Sequence, residues 1–194
     1  MIRSVRLWLW VAVIALGLTA AAAAVLLRPN AATGFGGGTY SLIDQNGKKV
    51  DQTMFLGHPS ALFFGYTHCP DVCPTTMAEM ATWFEQLGDE GKDLRAYFVT
   101  VDPQRDTPAI MGDYVAWVSD RITGVTGDPA EIDKIVRAWG IYVQKVPLGG
   151  DDYSMDHTAS VFLLNAKGEF EGTIAYREDA ATALGKLRNL LAKS

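Results

Sequence analysis

Residues 7–27 form an uncharged, strongly apolar stretch of 21 residues with the sequence LWLWVAVIALGLTAAAAAVLL. As a helix this stretch would be roughly 31 Å long, about the thickness of the hydrocarbon core of a bilayer. A cleaved signal peptide is the alternative, because the alanines at 20–24 offer cleavage sites. However, the apolar region of a signal peptide normally spans only about 7–15 residues. We therefore predict that residues 1–28 are an uncleaved membrane anchor.

The charges around this stretch predict the topology of the chain. Arg3 and Arg6 precede it, and basic residues hold a flanking segment in the cytoplasm. We expect a single-pass protein of the inner (cytoplasmic) membrane, with its C-terminal domain facing the periplasm or its equivalent. Residues 29–38 (PNAATGFGGG) are typical of a flexible tether, and residues 39–194 are predicted to form one folded domain.

The composition of the part beyond residue 28 excludes one class of partner. Residues 1–28 hold three of the 17 basic residues and none of the 22 acidic ones, so the remainder carries 14 basic against 22 acidic side chains. Such an acidic domain repels polyanions. We predict that the protein does not bind nucleic acid.

Predicted strands and helices alternate along the domain. Hairpins are predicted over residues 39–50, turning at Asn46-Gly47, and over residues 159–176, turning near Lys167-Gly168. Apolar runs at 59–67 and 94–102 are typical of central buried strands, and a shorter strand is predicted over 121–128. Helical spacing marks the segments 75–91, 129–143 and 179–193. Another helix is predicted to start at Asp106-Thr107-Pro108 and to carry Ile110, Tyr114 and Trp117. This order predicts an α/β, thioredoxin-like fold with an N-terminal hairpin addition, preceded by one transmembrane helix.

Two cysteines follow the first central strand in the sequence Cys69-Pro-Asp-Val-Cys73-Pro74. Proline has no backbone N–H, so Pro74 suits the first position of the next helix and places Cys73 near its N-cap. Unpaired backbone N–H groups and the positive end of the helix dipole favour thiolates there. The spacing allows either a disulfide or a shared metal ion. Outside the cytoplasm, two such cysteines tend to form a disulfide unless something reduces or metallates them.

A histidine in the sequence DYSMDHT (152–158) is the candidate third ligand. In a thioredoxin-like order this segment enters the final hairpin on the face where the cysteines lie, so His157 could complete a trigonal set with Cys69 and Cys73. Two thiolates and one imidazole suit Cu(I) and can also hold Cu(II), whereas zinc would need a fourth ligand. Asp156 could orient the imidazole or cap the turn.

Other soft or ionisable side chains are assigned to the core or the surface. We expect His68 and His58 to lie outside the metal set, and Met155 to be at most an auxiliary ligand. Core positions are predicted for Met77, Met80, Trp83, Trp117 and Trp139.

Three segments in the correct order resemble the Sco/SenC family of copper chaperones: FFGYTHCPDVCPTT (63–76), VTVDPQRDTP (99–108) and DYSMDHT (152–158). The resemblance implies a thioredoxin-like fold and copper bound by Cys69, Cys73 and His157. It also implies a role in maturing the CuA centre of cytochrome c oxidase subunit II. A copper donor or a thiol reductant would then be a further partner in the periplasm.

Two hypotheses use the same side chains differently. A metallochaperone would hold copper on Cys69, Cys73 and His157 and pass it on, and would not be a turnover enzyme. A thiol–disulfide oxidoreductase that reduces the cysteines of the CuA site, or a redox sensor, would use Cys69 and Cys73 as a redox pair. An inert structural disulfide is a weaker alternative, because cysteines bracketed by prolines at a strand–helix turn are placed for access. A thiol peroxidase is weaker too, because sequence does not place Arg105 near the cysteines and two close cysteines flanked by prolines are not the peroxidase pattern.

Overall fold

The computed structural model of the chain describes residues 14, 17, 19 and 35–193. Among these residues no helix has the length and apolar character needed to cross a bilayer. The predicted anchor over residues 1–28 lies outside the described part except at those three positions, and residues 29–34 of the predicted tether lie outside it as well. The chain divides into two compact units, Met1–Ala31 and Ala32–Ser194.

The second unit alternates strands with helices along the described residues. Its strands are β1 (Leu42–Asp44), β2 (Lys49–Val50), β3 (Ser60–Gly65), β4 (Arg95–Thr100), β5 (Ile122–Thr126), β6 (Val143–Gly149), β7 (Asp152–His157), β8 (Val161–Leu164) and β9 (Phe170–Ile174). Its helices are α1 (Val72–Leu87), α2 (Pro108–Val118), α3 (Pro129–Ala138) and α4 (Ala180–Ala192). Single turns of 3-10 helix lie at Gln52–Phe55 and Gly88–Gly91.

A seven-stranded sheet carries the core. Its strands lie in the order β2-β1-β5-β4-β3-β8-β9, with β3, β4 and β5 parallel and β8 antiparallel to β3. All six residues of β3 are buried, as expected for a central strand covered on both faces. The α/β, thioredoxin-like order predicted from the sequence is confirmed.

Both predicted hairpins are present. Strands β1 and β2 pair around Gly47, and the Asp44 carboxylate accepts hydrogen bonds from the backbone N–H groups of Asn46 and Lys48 in the turn. Strands β8 and β9 pair around Gly168. Both glycines have positive φ, +78° at Gly47 and +75° at Gly168, a conformation that side chains with a Cβ disfavour.

The structure differs from the sequence prediction between residues 139 and 157. The helix predicted over 129–143 ends at Ala138, and Gly140 follows with φ of +59°. Residues 143–149 form β6 instead, which pairs with β7 in a separate two-stranded sheet. The segment DYSMDH is therefore one arm of its own hairpin rather than the entry to the final one. Periodicity could not reveal this, because β6 is mostly exposed, β7 is mostly half-buried, and neither strand carries a fully buried apolar face.

The prediction of a core position is wrong for Trp117, whose exposed fraction is 78%. Helix α2 buries Met111 and Val115, which are four residues apart and form its inward stripe. Trp117 lies on the neighbouring stripe with Ile110, which is also exposed. The other four side chains predicted for the core are buried: Met77, Met80, Trp83 and Trp139.

The last residues of the predicted tether lie against the domain. The ring of Phe35 makes an edge contact with Trp139 at a centroid distance of 5.5 Å and lies 4.9 Å from Phe170. The backbone N–H of Gly36 donates to the Ala138 carbonyl at 2.8 Å. Gly36 has φ of +81°, and a Cβ there would collide with the Trp139 ring. The chain therefore makes specific contacts from residue 35 onwards.

Candidate metal centre

The two cysteines lie where β3 passes into α1. The Cys69 N–H donates to the Tyr66 carbonyl at 3.3 Å, which closes the turn that follows the strand. Helix α1 begins at Val72, two residues earlier than Pro74 led us to expect, so Cys73 belongs to its first turn. Asp71 at the N-cap makes no side-chain capping bond. Instead the Cys73 N–H donates to the Cys69 sulfur at 3.4 Å, which satisfies one of the free N–H groups at the helix start.

His157, the last residue of β7, reaches the cysteines from the separate hairpin. Its Nε2 lies 3.4 Å from the Cys73 Sγ, although the two residues are 84 positions apart. Its Nδ1 lies 3.0 Å from the Thr158 carbonyl, which can only accept a hydrogen bond. This contact fixes the ring so that Nε2, the nitrogen that would bind a metal ion, faces the sulfurs. The carbonyl has the orienting role that the sequence suggested for Asp156, whose side chain is exposed.

The three candidate ligand atoms form a compact cluster. The sulfurs of Cys69 and Cys73 and a ring nitrogen of His157 all lie within 4.8 Å of one another. Cys73 is buried, whereas Cys69 and His157 are partly exposed and line a cavity of about 350 Å³. Both cysteines are free thiols in this structure. One side of the cluster is thus packed into the protein and the other is open to an incoming molecule.

The electrostatics of the two sulfurs differ strongly. A hydrogen bond from the Cys73 thiol lowers the pKa of Cys69 to about 3, and hydrogen bonds from His157 and from the backbone N–H groups of Cys73 and Asp71 act in the same direction. The Cys69 sulfur in turn raises the pKa of Cys73, and burial adds to that rise. The pair therefore shares one proton, with the thiolate on Cys69.

Aromatic rings surround the imidazole on its inner side. The Tyr66 ring meets the His157 ring edge-on at a centroid distance of 5.9 Å, and Phe63 lies 6.1 Å away. Tyr66 also hydrogen-bonds the backbone of Met155. These contacts restrict the tilt of the imidazole without supplying a competing ligand. The sequence indicated Tyr66 only as part of a strand, so its contact with His157 was missed.

Neither of the two other histidines belongs to the cluster. The His68 side chain is half exposed and its Nδ1 lies 3.1 Å from the Thr67 hydroxyl. His58 pairs with the Ser60 hydroxyl at 3.1 Å. Met155 lines the same cavity as Cys69, which keeps it available as the auxiliary ligand considered from the sequence.

The segment VDPQRDTP, which follows β4, contacts both halves of the site. Arg105 forms an ion pair with Asp102 and donates to the Tyr153 carbonyl at 3.0 Å. Asp106 is fully buried and accepts hydrogen bonds from Thr67. A signal for this arrangement was present in the sequence, because the segment follows β4, the parallel neighbour of β3, and the carboxyl ends of such strands share one sheet edge.

Comparison with known proteins decides the family. Residues 29–192 match the SCO1/SenC family. The chain belongs to this family. The resemblance inferred from the three sequence segments is confirmed, and the match spans all of the described strands and helices.

Members of the SCO1/SenC family with known structure share the fold. The copper-bound structure of ScoI from Bradyrhizobium japonicum is 40% identical, covers 79% of this chain and 98% of its own, and superposes with a TM-score of 0.74. The copper-bound structure of yeast Sco1 is 28% identical, covers 81% of this chain and 89% of its own, and has a TM-score of 0.75. Both TM-scores are too high for the common fold to be accidental.

Curated relatives are longer than the matched region. The mitochondrial "SCO1 homolog 1" protein of Arabidopsis thaliana is 34% identical over 148 residues, which cover 76% of this chain and 44% of the relative. The "SCO2-like protein" of Rickettsia felis is 33% identical over 136 residues, covering 69% of this chain and 66% of the relative. The chain therefore spans less than two thirds of either relative.

Proposed function

We propose that this protein is a copper chaperone that carries one copper ion on Cys69, Cys73 and His157. The observation that carries the proposal is the convergence of two sulfurs and one ring nitrogen within 4.8 Å. Copper is the cargo of this site and not a resident catalytic group. Relatives in the same family have been solved with copper bound, which supports the choice of metal.

The chemistry of the donor set favours copper over harder cations. Thiolate and imidazole are soft to intermediate ligands, and three of them suit the low coordination number of Cu(I); the same set can also hold Cu(II). Cys69 already supplies a thiolate, so binding displaces a proton only from the buried Cys73. The open side at Cys69 allows an acceptor thiol to replace one ligand at a time.

The delivery target proposed here is the CuA centre of cytochrome c oxidase subunit II, as the family resemblance implies. Residues 1–28 would anchor the chain in the inner membrane, residues 29–38 would form the tether, and residues 39–194 would face the periplasm. A copper donor on the same side would load the site. The acidic character of the domain is the reason that no nucleic-acid partner is proposed.

The test is His157→Ala with both cysteines kept. The reduced wild-type protein should take up one equivalent of copper with a thiolate-to-copper charge-transfer band, and the variant should lose at least about tenfold in affinity, because one of three ligands is gone. His68→Ala is the matched control, since His68 lies one residue from Cys69 yet outside the cluster. Metal analysis and absorption spectra check the outcome, and full copper retention by His157→Ala would refute the proposed site.

A second candidate function is dithiol–disulfide exchange, and the thiolate at the partly exposed Cys69 favours it. Cys69 would attack a target disulfide and release one target thiolate. Cys73 would then attack the Cys69 sulfur, release the second target thiolate and leave a Cys69–Cys73 disulfide. The target gains two electrons, which this protein loses, and a reductant must restore the pair.

The same His157→Ala variant separates the two functions. Copper delivery should collapse without the imidazole, whereas exchange with a small disulfide should persist because both sulfurs remain. Delivery and exchange are measured side by side on the reduced protein. Maturation of the CuA centre by a variant that no longer binds copper would favour the redox function over the chaperone.

A further inference from the structure

Three residues after β4, namely Asp102, Arg105 and Asp106, contact both segments that carry the candidate ligands; we call them the brace. We propose that the brace sets the distance between His157 and the cysteines, so that Asp102 and Arg105 are positioning residues for His157. The inference rests on the proposed function, since a spacing matters only if the three ligands share an ion.

The hairpin that carries His157 has no backbone pairing with the seven-stranded sheet. Side chains make the connection instead: those of the brace act through Tyr153 at the start of β7, beside the contacts of Tyr66 with Met155 and His157. The Tyr153 hydroxyl donates to the Asp102 carboxylate at 2.9 Å, and the Arg105 guanidinium donates to the Tyr153 carbonyl at 3.0 Å. The guanidinium also lies 3.7 Å from the centre of the Tyr153 ring.

The Arg105 end of this connection is itself rigid. Its Nε pairs with the Asp102 carboxylate, which is almost fully buried. The Arg105 guanidinium also lies 5.6 Å from the Tyr66 ring centre, and Tyr66 contacts His157. Buried, charge-assisted pairs of this kind are costly to break, because each partner would be left desolvated.

The other end of the brace holds the cysteine segment. The buried Asp106 carboxylate accepts hydrogen bonds from the Thr67 hydroxyl at 2.6 Å, the Thr67 N–H at 3.1 Å and the Thr100 hydroxyl at 2.6 Å. Thr67 lies two residues before Cys69. Asp106 therefore ties the cysteine segment to the same few residues that hold the hairpin.

The consequence is geometric. Tyr153 and His157 lie on the same face of β7, four residues or roughly 13 Å apart. Freeing Tyr153 would let the hairpin tilt, and a tilt would move Nε2 away from Cys73. A metal site tolerates displacements of only about 0.5 Å in its ligands. Asp102 and Arg105 thus act on copper through His157, whereas Asp106 holds the cysteine segment.

The experiment measures copper affinity of the full-length reduced protein, by competition with a Cu(I) chelator, and the Cu(II) absorption and electron paramagnetic resonance spectra. We expect Arg105→Gln to weaken copper binding at least about tenfold and to alter the Cu(II) spectrum. Arg121→Gln is the matched control, because the Arg121 guanidinium also lies over a ring, Phe84, at 4.5 Å and donates to that residue's carbonyl. The control should keep wild-type affinity and spectrum.

A double-mutant cycle tests whether the effect passes through His157. In the His157→Ala background, Arg105→Gln should cause no further loss of affinity. Tyr153→Phe removes only the bond to Asp102 and keeps the ring, so it should fold and lose about fivefold in affinity, the size expected of one hydrogen bond. That loss should also vanish in the His157→Ala background.

The outcomes separate the two proposals. Wild-type affinity in Tyr153→Phe, or an equal loss with and without His157, overturns the positioning role. Unchanged affinity in His157→Ala alone overturns the proposed copper site instead. If Arg105→Gln does not fold, Tyr153→Phe alone decides.

Discussion

At the scale of single residues, the central feature is that Cys69 and Cys73 differ in burial and in ionisation. Cys73 is buried and holds the shared proton, whereas Cys69 is partly exposed and ionised. The cause is local, because the Cys69 sulfur accepts two hydrogen bonds, one from the Cys73 backbone N–H at the start of α1 and one from the Cys73 thiol. The Cys69 sulfur is therefore accessible to an incoming molecule, whereas the Cys73 sulfur is a ligand from inside the protein.

This asymmetry predicts how the thiols react with an alkylating agent. Because the pKa of Cys69 is lowered to about 3, its thiolate is complete above pH 5 and its alkylation rate should be flat from pH 5 to 8. An ordinary cysteine would react about tenfold faster per pH unit over this range, because its pKa is about 8.5. Mass spectrometry of the reduced protein in the presence of a metal chelator should locate the modification on Cys69, with Cys73 protected. A rate that climbs with pH at Cys69 would contradict the assignment.

At the scale of elements, β3 and α1 approach each other too closely for a side chain at Gly65. A Cβ on Gly65 would lie 2.7 Å from the Phe98 ring and 2.8 Å from the Cys73 sulfur. This glycine, which ends the strand, therefore permits the buried position of Cys73. The hairpin β6–β7 behaves differently, since neither of its strands pairs with a strand of the seven-stranded sheet.

Gly65→Ala should accordingly displace Cys73. We expect a loss of about 1–3 kcal/mol in the free energy of unfolding, the usual cost of overpacking a core, together with weaker copper binding. Gly185→Ala is the control, because its Cβ would meet no atom within 4 Å in the middle of α4, and it should gain up to about 1 kcal/mol. Urea denaturation and copper titration measure both effects. Equal stabilities for the two variants would show that the strand can shift without cost.

At the scale of the whole molecule, the last residues of the predicted tether make specific contacts within the second unit. Phe35 contacts Trp139, Phe162 and Phe170, although it lies in a Gly-rich stretch. A Gly-rich composition permits many backbone conformations. The packing of the Phe35 ring against an apolar surface selects one of them. The boundary at residue 39 between the tether and the folded domain remains a prediction.

Phe35→Ala tests whether this contact belongs to the fold. The ring is half exposed, so its removal should cost about 1–2 kcal/mol, less than a fully buried phenylalanine. Leu148→Ala is the control, since Leu148 is 64% exposed on the hairpin, and it should change stability by less than about 0.5 kcal/mol. Thermal unfolding of the full chain compares the two. Indistinguishable variants would place the start of the folded unit after residue 35.

Much of the fold could be predicted from local sequence patterns. The apolar run of β3, the Asn46-Gly47 turn and the start of α2 at Thr107-Pro108 each depend on neighbouring residues, so sequence alone predicted them. The cysteine segment was predicted for the same reason. Trp117 was misplaced because α2 carries two adjacent apolar stripes, and only packing shows which stripe faces the sheet.

The sequence by itself determined the family, the thioredoxin-like order and the three candidate ligands, since motif spacing and hydrophobic period are properties of the chain. Tertiary structure alone decided that His157 arrives on a separate hairpin, that the Thr158 carbonyl orients it, and that Arg105 links it to the cysteine segment. These contacts join residues far apart along the chain. Their geometry follows from how the elements pack, which no local pattern encodes.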